Sequence, residues 1–184
     1  MTKDRWVRLA TIDDVPACVA IYKPYVRDTT ITFETEVPTV AEMATRIDKA
    51  QAAYEWLVLE TDNTGVIGYA YAGEFKSRAA YRWSVETSVY LAGPQRGGGG
   101  GRLLYTELLR RLAARGYRRA FAGITLPNDA SIAFHHAFGF TDTGVFRQVG
   151  WKLNAWRDVA WLQADLLPPE LAADPPDEPR TAPR

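Results

Sequence analysis

The chain has 184 residues, enough for one domain with a sizeable core, and its 47% hydrophobic and 12% aromatic content is that of a globular protein. Basic and acidic residues balance at 22 each, so net charge offers no case for nucleic acid as a partner. A single cysteine rules out an internal disulfide, and with only two histidines, side by side, no ligand spacing suits a metal.

In chain order, Trp6 to Ala10 predicts a short strand. Thr11 then caps a helix running to about Arg27, with Asp13 and Asp14 at its positive end. Within that helix Cys18 shares an apolar stripe with Val15, Val19, Tyr22 and Val26, which makes it a small core residue rather than a nucleophile. The polar, β-branched run 28–38 reads as a loop. Thr39 and Glu42 form a capping box that opens a second helix to about Gln51. Strands follow at Tyr54–Thr61 and Val66–Glu74 around the hairpin signal Asp62-Asn63-Thr64-Gly65, and a longer one at Tyr81–Leu91.

Five glycines, Gly97 to Gly101, precede leucines at helical spacing from Leu103 to Leu112, with Gly116 as the helix stop. Ala120–Leu126 predicts a strand, Asp129–Phe138 a helix ended by Gly139, and Gly144–Val149 and Trp156–Leu166 the last strands. Residues 1–167 thus form one α/β domain, and the Pro- and charge-rich stretch 168–184 is expected to be a mobile tail. MTKDRW lacks an apolar signal region and no run reaches membrane-spanning length, so a cytoplasmic protein without a membrane partner is expected.

The glycine run is the first chemical clue. It fits neither the P-loop nor the dinucleotide fingerprint in any register, because Arg96, Arg102 and Leu103 fall at required positions. As a linker it would leave too little chain on each side for two domains. It does resemble Arg/Gln-x-x-Gly-x-Gly, the pyrophosphate loop of the GNAT family of acyl-CoA N-acyltransferases. Arg96-Gly99-Gly101 is the better register and Gln95-Gly98-Gly100 the other. Glycines let backbone approach phosphate, and N–H groups at a helix start bind its charge.

Further stretches extend the resemblance over most of residues 5–166: TFETE (32–36), YEWLVLE (54–60), YAYAGEFKSRAAYRWSVETSVY (69–90), TLPNDASIAFHHAFGF (125–140) and GWKLNAWRDVAWLQ (150–163). Together they are similar to the phosphinothricin and methionine sulfoximine N-acetyltransferase branch of that family. The resemblance implies a GNAT fold, with a mixed, mostly antiparallel central sheet flanked by helices. It also implies direct acetyl transfer from acetyl-CoA to a small amino-acid-like amine, in a protein that forms a homodimer.

Residue by residue, it implies Glu86 as general base, with His135 either assisting proton transfer or standing as a hydrogen-bonded buried histidine. His136, about 100° further round the helix, is read as surface. The cofactor set is Val89, Arg96, Gly97, Gly98, Gly99, Gly100, Gly101, Arg102, Asn128 and Ser131, with Asn128 alternatively a plain helix cap. Phe33, Lys76, Arg78 and Tyr81 would face the acceptor, the two cations meeting its anionic groups. Gly97, Gly98 and Gly100 exceed what the motif needs, so they are expected to loosen the loop and Gly100→Val to be tolerated. The sequence departs from the family pattern at Gly100, Thr125 and Leu153-Asn154, and the last two bear on the acceptor pocket more than on the reaction. Acetylation of a protein N-terminus or an aminoglycoside, and a non-catalytic acyl-CoA sensor, are the alternatives.

Overall fold

Seven strands and four α-helices make up the computed structural model, which describes residues 5–167 and 177–180. The strands are β1 (Arg5–Leu9), β2 (Trp56–Thr61), β3 (Gly65–Glu74), β4 (Ser84–Leu91), β5 (Arg119–Thr125), β6 (Thr141–Lys152) and β7 (Ala155–Asp165). The helices are α1 (Val15–Asp28), α2 (Val40–Ala53), α3 (Gly100–Ala114) and α4 (Asp129–His136). They lie against one sheet ordered β1-β2-β3-β4-β5-β7-β6, antiparallel throughout except between β4 and β5. This is the mixed, mostly antiparallel α/β sheet expected.

Alternation along the strands sorts the core into two layers, because successive strand side chains point to opposite faces. Leu57 and Leu59 of β2, Ala70 and Ala72 of β3 and Val85 of β4 pack with Leu104, Tyr105, Leu108 and Leu112 of α3. Trp56, Val58, Tyr69 and Tyr90 face the other way, onto Cys18, Tyr22 and Tyr25 of α1 and Met43 and Ile47 of α2. Burial pushes the Cys18 thiol up to about 12, which leaves it inert at neutral pH.

Several boundaries move. Thr11 opens a short 3-10 turn at Ile12–Asp14 before α1, its N–H and hydroxyl both donating to Asp14. The β4 strand starts at Ser84, because Ala79–Tyr81 forms another 3-10 turn. The capping box at Thr39 forms as expected, Thr39 Oγ1 accepting from the Glu42 N–H at 3.2 Å. The β6 strand runs longer at both ends than the expected Gly144–Val149, bending through two register shifts while staying paired to β7, whereas β7 matches its expected span to within one residue.

Part of the expected mobile tail is docked. The Trp83 indole donates to the Asp177 carbonyl at 2.8 Å, and the Arg82 guanidinium pairs with Glu178 at 2.7 Å. Arg115 Nε donates to the Arg180 carbonyl, while the Arg180 N–H returns a bond to the Arg115 carbonyl, both at 2.8 Å. The rest of that stretch, 168–176 and 181–184, lies outside the described residues. Among the described residues no helix is long and apolar enough to cross a membrane.

Arg115 is the polar tie at this end of the sheet. Its buried guanidinium also donates to the carbonyls of Ala53 and Tyr54 and pairs with the buried Glu55 carboxylate at 3.0 Å. Removing it orphans the carbonyls that close α2 and leaves the buried Glu55 carboxylate only the longer Arg111 contact at 3.8 Å. Arg115→Ala is therefore expected to lower unfolding free energy by about 3 kcal/mol, read as the midpoint shift in urea denaturation.

Candidate active site

Strand β4 positions the site. It pairs with β3 along its length, from Glu74↔Val85 to Gly68↔Leu91, but with β5 only at Ser84, Val85 and Glu86. Beyond Glu86 the two parallel strands part. The Tyr25 hydroxyl accepts from the Leu91 N–H at 3.2 Å and donates to the Leu91 carbonyl at 2.7 Å. Strand N–H groups two residues apart share an edge, so the Val89 N–H faces the same gap.

A groove of about 420 Å³ occupies the gap. Its walls include Val89, Leu91, Arg96, Gly97, Gly99, Gly101, Arg102, Asn128 and Ser131. All but Leu91 are expected cofactor residues, and of the expected set only Gly98 and Gly100 do not line the groove. The α3 helix begins at Gly100, earlier than the leucine spacing suggests. Leu103 makes the first helical bond, to the Gly99 carbonyl at 3.2 Å, so the N–H groups of Gly100, Gly101 and Arg102 have no partner within the helix. With Arg96 and Arg102 exposed beside them, these donors suit a phosphate chain.

The glycines divide by role, which corrects the expectation of a loose loop with three to spare. Gly97 and Gly99 both take left-handed backbone, φ 77° and 79°, open only to residues without a Cβ penalty. Arg5 donates to the Gly98 carbonyl at 2.5 Å, a contact no motif pointed to. Gly100 is buried inside α3, where an added Cβ would lie 2.8 Å from Leu59 Cδ2 in a fully buried core. Gly100→Val thus becomes an overpacking change rather than a tolerated one. Arg96 stacks on Tyr25, its guanidinium 4.7 Å from the ring centre, and Arg102 lies over Phe138 at 5.6 Å.

A second cavity of about 370 Å³ lies on the α1 face of the sheet. The alternate residues Glu86, Ser88 and Tyr90 of β4 line it, with Tyr22, Tyr71, Thr125, Phe146 and Trp161 around them. Ile31 borders both cavities, and the neighbouring residues Ser88 and Val89 open one to each, so the two meet along β4. The Glu86 carboxyl makes no hydrogen bond or ion pair among the described residues. Burial raises its pKa above the ordinary glutamate value, and the Lys76 charge draws it back in part.

His135 is not brought to Glu86. It sits on the opposite face of the sheet, buried against the rings of Tyr105, Phe134 and Phe140. Its Nδ1–H donates to the Ser131 carbonyl at 2.8 Å, and burial lowers its pKa, so the ring is neutral. Of its two readings, the buried hydrogen-bonded histidine describes this placement. His136 is exposed and meets Asp142 at 3.1 Å. Asn128 combines its two readings, capping α4 by accepting from the Ser131 N–H at 3.2 Å while lining the groove.

Among the acceptor residues only Phe33 lines the second cavity. The Lys76 ammonium lies at its rim, 5.9 Å from the Trp161 ring centre, while Tyr81 packs edge-on against Phe75. Arg78 is exposed, preceding the 3-10 turn. Tyr22, Glu34, Tyr71, Ser88, Tyr90 and Trp161 were not expected there; the period-2 run from Glu86 was the available signal for Ser88 and Tyr90.

Residues 7–161 match the acetyltransferase (GNAT) domain family. The chain is 40% identical over 169 residues to phosphinothricin N-acetyltransferase of Streptomyces viridochromogenes, covering 92% of this chain and 90% of that one. It is 35% identical to the L-methionine sulfoximine/L-methionine sulfone acetyltransferase of Pseudomonas aeruginosa, covering 90% and 97%. The crystal structure of a phosphinothricin acetyltransferase from Sinorhizobium meliloti in complex with AcCoA aligns with a TM-score of 0.84 at 37% identity, over 88% of each chain.

Gly99→Val is expected to abolish coenzyme A binding, measured by tryptophan quenching, because valine at φ near 79° is strained whatever room surrounds it. Gly100→Val is expected to lower Tm.

Proposed function

Because the chain belongs to the GNAT acetyltransferase family, we propose that it transfers acetyl from acetyl-CoA to the amine of a small amino-acid-like acceptor of the phosphinothricin or methionine sulfoximine type. The observation that carries this reading is the pair of cavities meeting at Ser88 and Val89, with an unpartnered carboxyl, Glu86, on the acceptor side. Acetyl-CoA, when bound, supplies an activated acetyl thioester. The left-handed glycines, the free N–H groups of α3 and the flanking arginines hold its phosphates.

Only a neutral amine attacks a thioester, so the acceptor's ammonium proton must leave first. Glu86 takes it, directly or through water. No cation pairs directly with this carboxylate among the described residues, and its raised pKa makes it a better base than an ordinary glutamate. The Val89 N–H donates to the carbonyl oxygen as charge develops there. Holding amine and thioester together supplies much of the rate. His135 takes no part in this scheme. Lys76, whose charge acts on Glu86, offers a cation for an acceptor's anionic end. A buried Cys18 agrees with transfer that needs no acyl-enzyme, and the single cysteine with a cytoplasmic setting.

A homodimer is supported by an apolar strip on β6, β7 and their turn, where Phe146, Val149, Trp151, Leu153 and Trp156 are 51–57% exposed. Sedimentation equilibrium is expected to return twice the chain mass; a monomer at micromolar concentration refutes the dimer.

The activity test is thiol release over a panel of amines that includes phosphinothricin, methionine sulfoximine, methionine sulfone, an aminoglycoside and an N-terminal peptide. Turnover is expected on the first three, and none on any of them rejects the acceptor class. Glu86→Gln is expected to cut kcat by about 10² while leaving coenzyme A affinity in place. Glu86 works only when deprotonated, so wild-type kcat/KM should rise with pH through a midpoint above the usual glutamate value of about 4.3, a limb the variant lacks.

A further inference from the structure

The loop between α1 and α2 forms one wall of the acceptor cavity through Ile31, Thr32, Phe33 and Glu34, yet it contains no helix or strand of its own. On one side the helices hold it. The Tyr22 hydroxyl lies 2.7 Å from Thr32 Oγ1 and donates to Glu34 at 3.0 Å, and the Arg46 guanidinium pairs with Glu34 at 2.7 Å. On the other side it rests on β6.

Two contacts make that second attachment. The Phe33 ring lies directly on the backbone of Gly150, where an added Cβ would come within 2.3 Å of Phe33 Cε2. Two residues further along the same face, the Lys152 ammonium donates to the Thr32 carbonyl at 2.8 Å. Lys152 is only 5% exposed, and no carboxylate pairs with it among the described residues; Glu34 is already held by Arg46 and Tyr22. Burial lowers the Lys152 pKa and the Glu34 charge offsets this only in part; a buried cation with no direct ion pair is costly, and its one hydrogen bond goes to this wall.

We propose that Gly150 and Lys152 form a clamp that fixes the Thr32–Phe33 wall and so sets the size of acceptor the cavity takes. Lys152 is a positioning residue here, touching neither the acceptor nor the groove. The inference rests on the acceptor assignment of this cavity. Releasing the clamp lets the wall swing outward, weakening a small acceptor's contacts with Phe33 and admitting a larger one.

The test compares full-length wild type, Lys152→Met, Lys152→Arg and Gly150→Ala. Lys152→Met is expected to raise KM for the best wild-type acceptor about tenfold, the effect of losing one charged hydrogen bond, with little change in kcat. Its preference for that acceptor over an analogue with a longer side chain should shrink, while coenzyme A affinity stays the same. Lys152→Arg keeps charge and donor and should restore most of the preference; Gly150→Ala should mimic the loss.

Amide hydrogen exchange across residues 29–38 should quicken in Lys152→Met and Gly150→Ala but not in Lys152→Arg, whether or not any amine is acetylated. Unchanged exchange, or unchanged KM and size preference in an active Lys152→Met enzyme, overturns the clamp. An inactive wild type with the expected exchange pattern instead refutes the acceptor assignment and leaves the clamp standing.

Discussion

Everything at this site depends on where β4 and β5 stop pairing. Each is committed to its other neighbour over a longer run, β4 to β3 from Val85 to Leu91 and β5 to β7 from Arg119 to Thr125. The parallel contact between them spans only three residues. The opening exposes backbone donors inside the sheet, which costs free energy unless a ligand or side chain accepts from them. Tyr25 satisfies Leu91, and Val89 is left facing the groove.

The same strand then separates two chemistries by alternation. Glu86, Ser88 and Tyr90 point into the α1 cavity, while Val85 and Thr87 point toward α3, where the Thr87 hydroxyl meets the Tyr105 hydroxyl at 2.6 Å. Tyr105 in turn packs edge-on against His135. A carboxylate and a histidine that look like partners in the sequence therefore lie on opposite sides of a sheet. An acid–base pair cannot act across that thickness. In the proposed reaction the proton goes to Glu86, whose burial without a hydrogen-bond partner among the described residues raises its pKa.

Rigidity is supplied away from the chemistry. Arg115 gathers the end of α2, Glu55 and the docked residue Arg180, while Arg82 and Trp83 hold Asp177 and Glu178 beside the start of β4. Fixing that end of β4 fixes Glu86 two to four residues later. The cavity wall at 31–34 has no secondary structure of its own and is held by side chains of α1, α2 and β6.

Local chemistry in the sequence determined most of the elements. Capping residues at Thr11 and Thr39, leucine spacing in α3 and glycine stops at Gly116 and Gly139 depend on neighbours a few residues away. The glycine loop was legible for the same reason, since left-handed backbone at Gly97 and Gly99 is a property of each residue's own φ. The family pattern, matched over residues 7–161, pointed to the sheet and to the kind of reaction. What the tertiary structure alone decided is which side chains share a face. His135 lies in α4 and Asn128 caps it, yet one enters the core and the other lines the groove. Gly100 sits among glycines of the loop but packs on Leu59, 41 residues earlier in the chain. Lys152 reaches the wall at Thr32 only because β6 passes beneath it. Such contacts follow from strand register and sheet order, and these are settled by packing between segments far apart in the chain.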